Sequence, residues 1–227
     1  MEEKLQYSSY VLQAGPVRVN GFLLYSPEKK DALIIDPGGE AEYLLSELER
    51  LGLKLRFIFL THGHFDHISG VHDLWKATGA GICMSRQDHS LITDSGRNAA
   101  ELVRCSPVPV FSVHRFLNDG DVLLIGDCEV QILSTPGHTP GGMSAYIPGH
   151  LFCGDTILKG GTGRQDLWGA DPGLSEKSIR NKIFTLPDDT VLHCGHGEAS
   201  SVAYEKKYNS ILSRPEEKGN YFHETNI

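Results

Sequence analysis

Leu60-Thr61-His62-Gly63-His64-Phe65-Asp66-His67 places three histidines and an aspartate within six residues, directly after the apolar run Phe57-Ile58-Phe59-Leu60. The run is short, uncharged and partly β-favouring, which predicts a buried strand over 55–60 that delivers a ligand-rich loop. Alternate side chains of an extended segment share a side, so His62 and His64 can face one point. Asp66 and His67 can face a second point nearby. Gly63 lets the backbone come close to whatever sits there. Imidazoles and carboxylates at this density suit a divalent ion of the zinc type, with room for two centres. Taken alone, the stretch could also be a histidine-rich surface loop.

Three later stretches weigh against that bland alternative. Thr135-Pro136-Gly137-His138-Thr139-Pro140-Gly141-Gly142 presents His138 on a Pro/Gly frame after an apolar run. Leu151-Phe152-Cys153-Gly154-Asp155 ends a second run in a carboxylate, and Val191-Leu192-His193-Cys194-Gly195-His196-Gly197 ends a third with His196 between glycines. All seven candidate ligands thus stand at strand ends, where one edge of one sheet system could gather them. His193 is expected to point away from His196, since three positions along an extended segment lie on opposite faces. His72, His89, His114, His150 and His223 lack companions, and Cys153 and Cys194 read as small buried hydrophobes.

Working outward, strands are expected over 17–25 and 32–35. A helix over 40–51 carries Leu44, Leu45, Leu48 and Leu51 as a stripe and is closed by Gly52. A second helix is expected over 68–77 and a short strand over 81–84. Residues 86–117 are the least regular part, with helical character at 86–92 and 98–104, and Pro107-Val108-Pro109 arguing for loop. Strands follow at 122–125, 130–133, 143–147, 151–153 and 191–193, with helices over 174–186 and 201–212. The chain reads as one compact mixed domain over 1–213, followed by a polar tail over 214–227.

Composition bounds the function. The chain has 227 residues, 40% hydrophobic and 22% charged, ordinary for a soluble globular protein. A net charge of −8 without a Lys/Arg cluster argues against a nucleic-acid partner. No apolar run is long enough for a membrane span, and no signal sequence opens the chain. Five scattered cysteines without a C-x-x-C pair suit reduced thiols in a cytoplasm. Gly160-Gly161-Thr162-Gly163-Arg164 lacks the ending of a phosphate-binding P-loop.

The series T-H-x-H-x-D-H, T-P-G-H-T, G-D and G-H-G resembles the metallo-β-lactamase superfold, specifically its glyoxalase II-like branch, in order and over nearly the whole chain. The resemblance implies an α+β, four-layer αβ/βα sandwich with the site at the edge of two sheets. It implies His62, His64 and His138 around a first metal, Asp66, His67 and His196 around a second, and Asp155 bridging both. Close relatives include thioester hydrolases of the hydroxyacylglutathione hydrolase type and persulfide dioxygenases. Against classical glyoxalase II, Arg164 stands for a glutathione-contacting lysine, and Asp166 and Glu198 stand for two tyrosine contacts. The stretch after His196 is also too short for that enzyme's helical glutathione-binding domain. The thiol carrier is therefore open. Antibiotic hydrolases of the commonest type carry a cysteine where Asp155 stands, and the flavodiiron branch a glutamate where His64 stands, which points away from both.

These residues predict two divalent ions, zinc first with iron or manganese as alternatives, and a bridging water ionised near neutral pH. Asp66 can accept a proton as well as ligate. The expected activity is hydrolysis of a small anionic acyl-thiol. The rival is a mononuclear non-haem iron dioxygenase on His64, His138 and Asp155. A lactonase and a metal-stabilised binding module are further alternatives. Arg164 is expected to hold an anionic substrate by its guanidinium fork, or else to form an ion pair with Asp166 or Asp171.

Overall fold

A computed structural model describes residues 4–213 of the chain; the polar tail expected over 214–227 lies outside the described residues. In chain order the elements are β1 (Gln6–Ala14), β2 (Val17–Tyr25), β3 (Asp31–Ile35), α1 (Ala41–Leu51), β4 (Lys54–Phe59), α2 (Phe65–Ile68), α3 (Val71–Thr78), β5 (Gly81–Ser85), β6 (Arg115–Leu117) and β7 (Val122–Ile125). Then come β8 (Cys128–Ser134), β9 (Met143–Ile147), β10 (His150–Gly154), α4 (Pro172–Asn181), β11 (Val191–Cys194), β12 (Ser200–Ser201) and α5 (Val202–Tyr208).

The strands form two six-stranded sheets, ordered β1-β2-β3-β4-β5-β6 and β12-β11-β10-β9-β8-β7. Alternation along the pleat sorts apolar side chains into three seams. In β3, Ala32 and Ile34 pack with Leu44 and Leu48 of α1 and Val71 and Leu74 of α3, while Leu33 and Ile35 pack against Val130, Ile132 and Ala145 of the second sheet. In β10, Phe152 faces that inter-sheet seam, and Leu151 and Cys153 face Ile179 of α4 and Val202 of α5. Helices, sheet, sheet, helices: three seams make the four-layer α+β sandwich. Each buried leucine is worth roughly 1.5–3 kcal/mol of transfer free energy. Strand β4 keeps both faces apolar despite a register shift: Ala32 pairs Leu55 and Leu33 pairs Phe57, so Arg56 is an extra, bulged residue. No helix among the described residues is long and apolar enough to cross a membrane.

Several boundaries differ from the sequence reading. Strand β1 carried no expectation because Gln6-Tyr7-Ser8-Ser9 is polar. It is the edge of its sheet, paired with β2 from Gln6↔Tyr25 to Ala14↔Val17 across Gly15-Pro16. The helix expected over 68–77 is interrupted at Ser69-Gly70, where the Gly70 amide bonds to the Pro37 carbonyl at 2.8 Å. The helix expected over 174–186 starts earlier, because the Asp171 side chain accepts from the Leu174 amide and Pro172 occupies the first turn. It ends at Asn181, before a separate 3-10 turn at Ile183–Thr185. Within 86–117 only short 3-10 turns form, at His89–Ile92 and Glu101–Val103, and β6 pairs parallel to β5.

His193 lies in the inter-sheet seam, its ring stacked on Phe152 at 4.6 Å and its Nε2 3.1 Å from His150 Nδ1. Burial, with a smaller push from His150, lowers its pKa to about 4. A folded-state value below the unfolded 6.5 means stability is present above pH 6.5 and is lost as pH falls toward 4, by about 3 kcal/mol at roughly 1.4 kcal/mol per pH unit. Replacing His193→Phe, which keeps a flat ring on Phe152, removes this loss. The Tm difference between variant and wild type is expected to move in the variant's favour by several degrees between pH 7.5 and 5. Parallel Tm curves would show that His193 does not carry the acid sensitivity.

Candidate metal centre

The candidate ligand residues come from strand ends of both sheets, as the family resemblance implies. His62, His64, Asp66 and His67 follow β4 of the first sheet; His138 lies between β8 and β9, Asp155 follows β10, and His196 follows β11, all of the second. Parallel pairing of β10 with β11 places Asp155 beside the His196 loop, and the Gly195 amide bonds to the Gly154 carbonyl at 2.8 Å. Strand β2 supports the same loop from the first sheet: Asn20 Nδ2 donates to the Cys194 and Gly197 carbonyls, each at 2.9 Å.

The seven side chains converge. Ligand atoms of His62, His64 and His138 lie within 4.8 Å of one another, as do those of Asp66, His67 and His196. Asp155 stands between the groups, its Oδ2 3.6 Å from His138 Nε2 and 3.4 Å from His196 Nε2, and its Oδ1 3.6 Å from His67 Nε2. Ligand atoms of Asp36, His62 and His67 also cluster within 4.8 Å, with Asp36 bound to the outer side of His67.

The tautomers follow from the outer partners. His67 Nδ1 donates to Asp36 Oδ2 at 2.8 Å, His138 Nδ1 to the Arg164 carbonyl at 2.9 Å, and His196 Nδ1 to the Arg18 carbonyl at 2.7 Å. The Thr61 hydroxyl donates to Asp36, so His62 Nδ1 donates to Thr61 Oγ1 at 3.0 Å. Each of these four rings is left with a bare Nε2 lone pair facing inward. His67 Nε2 then lies 3.3 Å from His196 Nε2, and His138 Nε2 lies 3.0 Å from His64 Nδ1. The buried His62 Nε2 and Asp155 Oδ1 have no hydrogen-bond partner. The facing Nε2 lone pairs of His67 and His196 beside two carboxylates are unfavourable without positive charge among them. The electrostatics agree. Without a metal the site takes that charge as a proton: burial works against a charged His196, yet hydrogen bonds and charge from Asp155 and Asp66 push its pKa up to about 11, so its Nε2 is bare only where a cation replaces the proton. Burial, with His138, pushes His64 down to about 3. The donor set fits divalent cations. Outward N–H groups bound to carboxylate or carbonyl are how proteins orient metal-binding histidines.

The outer partners were not legible as functional residues. Asp36 ends β3 as Asp155 ends β10, a signal hidden by the turn-like Asp36-Pro37-Gly38-Gly39. Arg18 acts through its backbone alone. Arg164 acts through its carbonyl toward His138, while its guanidinium is paired with Asp166 by two hydrogen bonds of 2.9 and 2.7 Å, both side chains well exposed. Asp171, the other expected partner, caps α4 instead. The remaining histidines lie elsewhere: His72 bonds the Val110 carbonyl, His114 accepts from the Ile82 amide, His89 packs on Phe116 and His150 on His193. His223 lies outside the described residues. Cys153 and Cys194 are fully buried.

A two-sheet sandwich whose strand ends gather this set defines a class, and residues 14–196 match the model of the metallo-beta-lactamase superfamily. The chain belongs to that superfamily. The hydroxyacylglutathione hydrolase GloC of Haemophilus influenzae is 35% identical over 189 residues, 82% of this chain and 89% of that protein. The crystal structure of the BLEG-1 B3 metallo-beta-lactamase superposes with a TM-score of 0.85 at 32% identity, over 92% of this chain and 100% of that one. The crystal structure of TTHA1623 in a di-iron-bound form superposes with a TM-score of 0.79 at 34% identity, over 89% and 100%.

Proposed function

We propose that this chain is a metal-dependent thioester hydrolase of the hydroxyacylglutathione hydrolase type, acting on a small anionic acyl-thiol. The observation that carries the reading is the convergence of two three-residue donor sets on one shared carboxylate, Asp155. Likeness to a hydroxyacylglutathione hydrolase supports the thioester. His62, His64 and His138 hold one ion, Asp66, His67 and His196 the other, and Asp155 both. Zinc is the first choice, with iron or manganese as alternatives. Divalent cations there supply polarisation of a carbonyl oxygen and a water acidified toward neutral pH.

The chain's own contribution is positional. Asp36, Thr61 and the Arg18 and Arg164 carbonyls fix the tautomers, so the donors need no rearrangement. Asp66 lies 3.2 Å from His196 Nε2, where its carboxylate would help hold the second ion and could accept a proton from a reacting water. A thiolate leaves readily and requires no strong general acid.

The test is a paired assay of thiol release from S-lactoylglutathione and oxygen uptake with glutathione persulfide, on protein whose metal content is measured in parallel. Two ions per chain and thiol release without oxygen uptake are expected. Oxygen uptake without hydrolysis, with a single iron per chain, would establish the second reading, a non-haem iron dioxygenase on His64, His138 and Asp155. Iron as the metal draws on a similar chain in a di-iron-bound form, which holds two ions rather than one. A chromogenic cephalosporin forms a third arm, because another similar chain is a β-lactamase.

Arg164 tests the substrate's charge. Its pair with Asp166 is exposed on both sides and screened by solvent, so the fork can exchange Asp166 for a substrate carboxylate at small cost. Arg164→Ala, which keeps the carbonyl that holds His138, is expected to raise KM several-fold with kcat and metal content unchanged. An unchanged KM removes Arg164 from substrate binding.

A further inference from the structure

The region least readable in sequence holds a buried carboxylate that none of the above uses. Asp88 is wholly inaccessible to solvent. Its Oδ2 accepts from the Gly63 amide at 3.1 Å and from the Thr139 hydroxyl at 2.7 Å, and its Oδ1 accepts from the Gly141 amide at 2.6 Å. Gly63 lies between His62 and His64, and Thr139 follows His138. One carboxylate therefore binds the two loops that bring the first donor set together, one from each sheet.

The packing is built for this. A Cβ at Gly141 would lie 2.6 Å from Asp88 Oδ1, and one at Gly63 would lie 2.7 Å from Leu91 Cβ and 3.1 Å from the Asp88 carbonyl oxygen. Bare backbone at both positions is what lets the Asp88 segment seat between the loops. The three donors are neutral, so removing one acceptor strands buried N–H or O–H groups. Asp36 provides the contrast, since its carboxylate holds the His67 ring and Thr61 directly.

We propose that Asp88 is a positioning residue for the first metal centre, clamping the His62/His64 loop to the His138 loop and so setting the spacing of those three histidines. The proposal rests on the reading of these histidines as one ion's ligands. Asp88 acts through the Gly63 and Gly141 amides and the Thr139 hydroxyl, on either side of the ligand rings.

The test is a competition titration of the metal-stripped full chain with zinc and a chromophoric chelator, with cobalt spectra of the same samples. Asp88→Asn keeps the volume but turns an amide NH2 toward one of the three donors. It is expected to weaken one of two zinc sites by 10–100-fold, the range for lost outer partners, and to leave the other unchanged. In a His138→Ala background the same change is expected to add nothing, and in a His196→Ala background to keep its full effect. A clamp that merely stabilised the fold would lower the metal-free Tm with both affinities intact, and that result overturns the proposal, as does an equal fall at both sites. Should Asp88→Asn fail to fold, Thr139→Val removes one donor alone and is expected to weaken the same site by a smaller factor. Wild-type chain that binds no zinc or cobalt sinks the metal-centre reading; wild type with two ions and an unaltered Asp88→Asn sinks this proposal alone.

Discussion

Asp155→Asn is expected to cost at least one of the two metal ions and to lower kcat/KM for thioester hydrolysis by more than about 100-fold, beyond the range seen for outer partners alone. The carboxylate is 8% exposed and reaches His138, His67 and His196, so it belongs to both donor sets. Burial alone would raise its pKa. The imidazoles of His67, His196 and His138 outweigh that and hold it far below the usual carboxylate range. Asparagine removes the charge that both sites would share, and its NH2 can donate to the inward Nε2 lone pairs and so occupy positions a cation would take. Elemental analysis beside steady-state kinetics checks the outcome. A variant with both ions and a rate within tenfold of wild type would remove Asp155 from the bridging position.

The seven residues that converge were legible as candidates because each is a chemically distinctive side chain just after an apolar run, five of them beside a glycine. Asp155 follows Leu151-Phe152-Cys153-Gly154, and His196 follows Val191-Leu192-His193-Cys194-Gly195. The four layers were read through the family resemblance; their physical reason is that residues 32–35 of β3 and 151–153 of β10 are apolar in succession, as a sheet covered on both faces requires. What escaped reading acts without distinctive chemistry in sequence. The Arg18 and Arg164 carbonyls are backbone, and no residue type announces a carbonyl. Asp36 looks like the start of a turn, and Asp88 sits in Arg86-Gln87-Asp88-His89 like any solvated acid, though it is fully buried. Strand β1 escaped because an edge with one face toward solvent needs little apolar patterning, and two-residue β12 because it is too short to carry any.

Gly195→Ala is expected to have the next largest effect, by adding a single methyl group. An ideal Cβ there would lie 2.3 Å from Asp155 Oδ1 and 2.7 Å from His67 Cε1. Neither neighbour can yield cheaply. His67 is completely buried and held by Asp36, and the Gly195 backbone is fixed on both sides by bonds to the Gly154 carbonyl and the Asn20 amide. The methyl must therefore displace the carboxylate shared by both centres. Overpacking of this kind costs about 1–3 kcal/mol, or several degrees in Tm for a chain of this size. Loss of metal and of at least about 100-fold in kcat/KM is expected on top, as for a broken ligand set. Gly197→Ala separates crowding from backbone strain. Gly197 has φ +73 and nothing within 4 Å of an added Cβ, so alanine there meets only the left-handed penalty of about 1–2 kcal/mol. Gly197→Ala is expected to lose a few degrees of Tm and keep both ions, whereas Gly195→Ala loses metal. Equal metal content in the two variants would show that the space beside Asp155 Oδ1 is not what the centre requires.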